Sequence, residues 1–167
     1  MAPLTTSLLH GLAICIPFSV FIIISFTRRP RLWLHSLPQD IVRLAAPKTK
    51  REIFLTRWLL LPIYLGILPG LSVISCIYLV TTQEITSFIG ILVHIYCIWA
   101  IVHIWDFIAI DLGAMLLIDP ANPPISGTEN AKGWRDVYFH LRSLFLALPM
   151  SGLFVVPAAL IVWLLFF

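Results

Sequence analysis

Charge is scarce in this chain. Only 11% of its 167 residues are charged, against 60% hydrophobic, where a soluble domain carries roughly a quarter charged. That shortage excludes a water-exposed surface over most of the molecule and makes lipid its solvent. The net charge of +3 is small and gives no basis for nucleic-acid binding. Catalytic signatures are missing too: the sequence has no Gly-x-Ser-x-Gly elbow, no phosphate loop and no His-Glu-x-x-His helix. Nucleophilic catalysis therefore has no sequence support. The three cysteines, Cys15, Cys76 and Cys97, lie in apolar runs; no pair has metal-ligand spacing, and nothing suggests a disulfide framework. They read as small, polarizable packing residues. No internal repeat and no low-complexity segment occurs.

What is present is long apolar sequence. Charge-free runs extend over 1–27, 58–83, 85–105 and 143–167. Each meets the roughly 20 residues needed to cross about 30 Å of hydrocarbon at 1.5 Å per residue. The fold expected is all-α: one membrane domain over 1–167, a four-helix bundle with spans at about 5–26, 58–81, 86–107 and 144–166. Arg28-Arg29-Pro30-Arg31 follows the first run like a stop-transfer flank, and a positive n-region is missing. Leu12-Ala13-Ile14-Cys15 is a poor lipoprotein cleavage box because Ile14 is bulky. The first run therefore reads as a span and not as a cleaved signal peptide.

Basic residues set the orientation. Eight of the eleven Lys/Arg residues fall between spans one and two, and the other three between spans three and four. The positive-inside bias then places both long loops, about 27–57 and 108–143, in the cytoplasm of a cell-membrane protein with both termini outside. In the first loop, Ser36-Leu37-Pro38-Gln39 has the form of a capping box. The short amphipathic helix it would open must stop before Pro47 and is expected along the anionic headgroups. In the second loop, Trp134, Val137, Tyr138, Leu141 and Phe145 recur at helical spacing as one apolar stripe.

Small residues suggest where helices touch. Ser7, Gly11, Cys15 and Ser19 are spaced by four in span one, and Gly66 and Gly70 frame Pro69 in span two. Facing stripes of this kind let backbones approach closely, so Gly11 is expected against Gly66 and Gly70. Pro149, Gly152 and Pro157 predict a bent fourth span.

Candidate chemistry gathers at the end of span three. Carboxyl groups near lipid are costly and need a partner. Residues 85–105 already supply about 31 Å of helix, which puts Asp106 and Asp111 at the cytoplasmic boundary and not at mid-membrane. At 100° per residue the two point about 140° apart, with His103 between them. One expectation is that they bind backbone or basic partners such as Arg57 and Arg142. The other is a polar or metal site that adds Glu129, Asp136 and His140, whose oxygens and imidazole would suit a divalent cation. A b-type haem between His10 and His94, both near the outer ends of their spans, ranks below these.

Two segments also carry a resemblance: Arg28-Arg29-Pro30-Arg31-Leu32-Trp33-Leu34-His35, and Trp105-Asp106 through Asp111, Gly127-Thr128-Glu129, Asp136 and His140. About a quarter of the chain in this way resembles a group of small bacterial four-helix integral membrane proteins of unassigned function. That group shows Asp-x4-Asp at the end of span three, then Pro-Gly-Thr-Glu and Asp-x3-His; Ser126 stands here in place of the proline. The resemblance implies a similar architecture and the same cytoplasmic-side polar residues, and brings no activity or cofactor.

The leading expectation is a non-enzymatic membrane protein, an accessory factor or complex subunit. Its polar cluster would be His103, Asp106, Asp111, Glu129, Asp136 and His140. Its partners would be the lipid bilayer and another membrane protein or a second copy of itself. The rival is a membrane-embedded enzyme or an ion- or metal-binding protein using the same cluster.

Overall fold

The computed structural model describes residues 2–167, with side chains from residue 4 onward. It is all-helical, with no strand among the described residues. Four helices are long and apolar enough to cross a membrane. They are α1 (Ala2–Arg28), α3 (Lys50–Thr81), α4 (Phe88–Leu117) and α5 (Val137–Phe166). A short α2 (Gln39–Leu44) lies in the first long connection. The tight link between α3 and α4 leaves the two long connections together at the opposite end, here called the loop end.

Helix α4 is the centre of the bundle and packs against α1, α3 and both halves of α5. Its partner face on α1 carries the small residues. Gly11 lies under Ile101, where an added Cβ would approach the Ile101 side chain to 2.9 Å. On either side of Gly11, Ser7 Oγ meets His94 Nδ1 at 2.7 Å and Trp105 Nε1 donates to Ser19 Oγ at 2.8 Å. The expected partner was α3, and the structure corrects this: a Cβ on Gly66 or Gly70 would meet nothing within 4 Å. The stripe on α1 is real, but its ridge-filling neighbour is the large aliphatic Ile101 and not a second small-residue groove.

Helix α3 is not uniformly α-wound. Thr56–Leu60 and Ile63–Ile67 are π-wound, around Pro62 and ahead of Pro69. Proline cannot donate and its ring crowds the carbonyl one turn back, so the helix widens locally. In α5 the break falls at Ser151, between Val137–Met150 and Gly152–Phe166, close to Pro149 as the sequence predicts.

At the loop end the two long connections fold onto each other. Leu34, Leu37 and Ile41 from the first bury against Ile125, Ala131 and Trp134 from the second. Ile41 of α2 is therefore fully buried beneath the second connection, while Leu44 on the same helix stays exposed. The α2 cap is corrected. Its N-cap is Pro38, without a side-chain cap, and Ser36 Oγ instead donates back to Trp33 O at 2.8 Å. The capping box in this connection is Thr49 with Glu52, at the start of α3. Trp134 is separate from the stripe that follows it: it is buried in a 3₁₀ turn, whereas Tyr138 and Phe145 are 74% and 65% exposed on α5.

Candidate functional site

The Asp106–Asp111 segment of α4 is π-wound. This changes the geometry expected of it. An i→i+5 hydrogen-bonding pattern stacks residues five apart much as an α-helix stacks residues four apart. The pair expected about 140° apart in an ideal α-helix is therefore brought towards one face. Leu112 N, bonded to Phe107 O, closes this wide turn.

Asp111 Oδ2 lies 3.0 Å from His140 Nδ1 on α5, with the imidazole 11% and the carboxylate 26% exposed. Asp106 feels the charges of both Asp111 and His140. Tyr64 on α3, which sequence reading missed, lies within the electrostatic reach of both aspartates. Asp106 also lines a small, partly open cavity of about 30 Å³ with His103, Tyr64, Trp99, Phe18 and Ile14, room for one or two waters. His103 belongs to this cavity but is committed elsewhere. Ser151 Oγ donates to Ala147 O at 2.9 Å and so must accept from His103 Nε2, 3.0 Å away. One hydroxyl has only one proton to give.

Glu129 and Asp136 do not join this group. Glu129 is exposed and accepts the Gly127 backbone N–H at 3.0 Å; backbone donors hold its carboxyl below the usual range. Asp136 caps α5, accepting Phe139 N at 2.9 Å. The Gly127-Thr128-Glu129 segment is a turn device. Gly127 has φ +86°, and buried Thr128 donates to Ile125 O at 2.6 Å. Thr128 O in turn receives the Trp134 indole N–H at 3.1 Å.

Neither Arg57 nor Arg142 is in ion-pair range of either aspartate among the described residues. Among the described residues the ion pairs are Arg31–Glu52 and Asp111–His140, and Arg135 donates to Ile118 O. No group of three His, Cys, Asp or Glu side chains among the described residues is placed to hold a metal ion. His10 and His94 do come together, but through Ser75, and both His94 nitrogens are hydrogen-bonded to hydroxyls. That bonding leaves His94 no free nitrogen for haem iron.

No protein-family model, curated protein or solved structure matches this chain. Its chemistry has to be read from the site.

Proposed function

We propose that the chain is a multi-pass integral membrane protein whose working part is the Asp106–Asp111–His140 cluster, which takes up a cation, a proton in preference to a metal. The carrying observation is that one π-wound turn holds two carboxyl groups, of which Asp111 lies 3.0 Å from the His140 imidazole and Asp106 has no ion-pair partner among the described residues. If both carboxyls were ionised, a protonated His140 would still leave one negative charge uncompensated. With no arginine in ion-pair range among the described residues, a proton or a metal cation has to balance it. Among the described residues Asp106, Asp111 and His140 do not converge closely enough to hold a metal ion, which favours the proton.

Membrane insertion is supported by the four long apolar helices. Outward-facing side chains such as Leu116, Leu117 and Leu164, 81%, 87% and 79% exposed, suit lipid. The Lys/Arg bias supports a cytoplasmic loop end, so the cluster would open towards the cytoplasm. The hydroxyl beside the His103 imidazole of the Asp106 cavity, Ser151, donates to Ala147 O and not to His103, which favours a non-enzymatic role as a subunit or accessory factor.

Difference infrared spectroscopy of the chain in liposomes, stepped through pH, tests the reading. A carboxyl C=O band that titrates in the native chain should vanish in Asp106→Asn or Asp111→Asn and shift in His140→Gln. A band unchanged in all three variants would reject the cluster as the cation site.

A further inference from the structure

The first long connection carries more positive charge than it can balance. Residues 28–57 hold eight Lys/Arg against two acids, Asp40 and Glu52. Both acids are already engaged. Asp40 accepts the N–H groups of Ile41 and Gly133. Glu52 Oε1 accepts Arg31 Nε at 2.6 Å, and its Oε2 closes the Thr49 capping box.

Two of the cations are committed to the fold. Arg31 Nη2 donates to Ala46 O and Pro47 O, each at 2.9 Å, and Lys48 Nζ donates to Leu32 O at 2.8 Å. These bonds tie the exit of α1 to the entry of α3. Arg28 and Arg29 flank the tie on one side, Lys50 and Arg51 on the other. All four are exposed, and none has an ion pair among the described residues. One corner therefore gathers four positive charges without an anion.

An aromatic pair lies just beyond this corner on the same helix. Along the α-wound start of α3, Lys50–Leu55, the positions of Lys50, Phe54 and Arg51 fall within about 100° of one another, with Glu52 on the far side. Trp58 joins this face: its ring lies 6.0 Å from that of Phe54, and Phe54 and Trp58 are 58% and 70% exposed. From Lys50 to Trp58 the helix rises about 12 Å, and a headgroup layer is roughly 5–8 Å deep. Tryptophan favours the inner edge of that layer. With Trp58 there, the Lys50 and Arg51 side chains extend to the phosphates.

We propose that this corner docks an anionic phospholipid. Its headgroup phosphate lies among Arg28, Arg29, Lys50 and Arg51, and its glycerol and upper acyl chain lie against Phe54 and Trp58. Charge complementarity names the occupant. A zwitterionic lipid brings its own ammonium and gains little from four uncompensated cations, and a free phosphate gains nothing from the aromatic pair. The inference rests on the membrane reading above and is independent of the Asp106–Asp111–His140 cluster. Orientation by the basic connections requires only positive charge on one side, and not a lipid held at one place.

Quenching of Trp58 fluorescence tests the site, with the Trp58 share taken as the difference between the native chain and Trp58→Phe. The full chain is reconstituted in phosphatidylcholine vesicles holding a minor fraction of brominated phosphatidylglycerol, or the same fraction of brominated phosphatidylcholine. The phosphatidylglycerol should quench Trp58 several times more strongly. Each Lys/Arg near an anionic surface contributes about a fivefold preference, so Lys50→Gln combined with Arg51→Gln should remove most of the difference. Lys132→Gln, on the second connection, should keep it. Equal quenching of Trp58 by the two lipids, or none by either, would overturn the site. If none of the six tryptophans is quenched, the membrane reading falls as well. A preference that survives the double substitution would also overturn it. So would one lost in inorganic phosphate but kept in chloride of equal ionic strength, which would assign the cations to a free anion. If the doubly substituted chain does not fold, the two lipids compared on the native chain decide.

Discussion

Gly133 sits where the two long connections touch, and its neighbours leave no room for a side chain. Its N–H donates to Asp40 Oδ2 at 2.7 Å. A Cβ there would press on the Asp40 carboxylate and come within 2.8 Å of Pro38 Cβ. Asp40 Oδ1 also accepts the N–H of Ile41 at 2.9 Å, so the carboxylate cannot swing away without losing a second bond. Gly133→Ala should therefore destabilise the chain by about 1–3 kcal/mol, the usual range for forcing atoms into a packed site, read as a lowered midpoint of thermal unfolding in detergent. The same assay separates the glycines of the long helices. Gly11→Leu should cost at least as much, because Ile101 already fills the space. A Cβ at Gly70 meets nothing within 4 Å, so Gly70→Ala should stay within about 0.5 kcal/mol of native. A four-residue spacing of small residues was legible in the sequence, but the identity of the facing helix was not. Spacing reports which side of a helix is flat, and not what lies against it.

Among the elements, caps and winding carry the lesson. Asp136 and Thr49 each accept a first-turn backbone N–H, whereas Ser36 caps nothing. Asp136→Ala and Thr49→Ala should each cost about 1 kcal/mol. They should also speed hydrogen exchange in the first turns of α5 and α3, and Ser36→Ala should leave α2 unchanged. Both Ser36-x-x-Gln39 and Thr49-x-x-Glu52 fit the capping-box pattern; only the second is followed by a long helix that holds the geometry. The candidate site was legible to the same limited degree. Asp106, Asp111 and His140 were visible as polar residues at an apolar helix end, and the structure pairs Asp111 with His140 and keeps Asp106 on the same wide turn. The π winding that does so was hidden, because an angular projection assumes 100° per residue throughout. Glu129 and Asp136 shared the sequence neighbourhood but serve a turn and a cap. Tyr64 was missed because an isolated tyrosine in an apolar run carries no periodic signal.

For the molecule as a whole, hydropathy and charge were enough to outline four long helices, since an 18- to 30-residue apolar run has few other solutions. The contact between the long connections was not legible, because Leu34, Leu37 and Ile41 look amphipathic whether they meet headgroups or Trp134. The central claim is that four membrane crossings put the Asp106–Asp111–His140 cluster on the side of the long basic connections. Cysteine labelling tests it most directly. In a chain with Cys15, Cys76 and Cys97 replaced, single cysteines are introduced at Thr82 and Lys132, both exposed and at opposite ends of the bundle. The account predicts that Thr82→Cys reacts with an impermeant maleimide on intact cells and that Lys132→Cys reacts only after permeabilisation. Labelling of Lys132→Cys from outside, or of both positions from the same side, would contradict it.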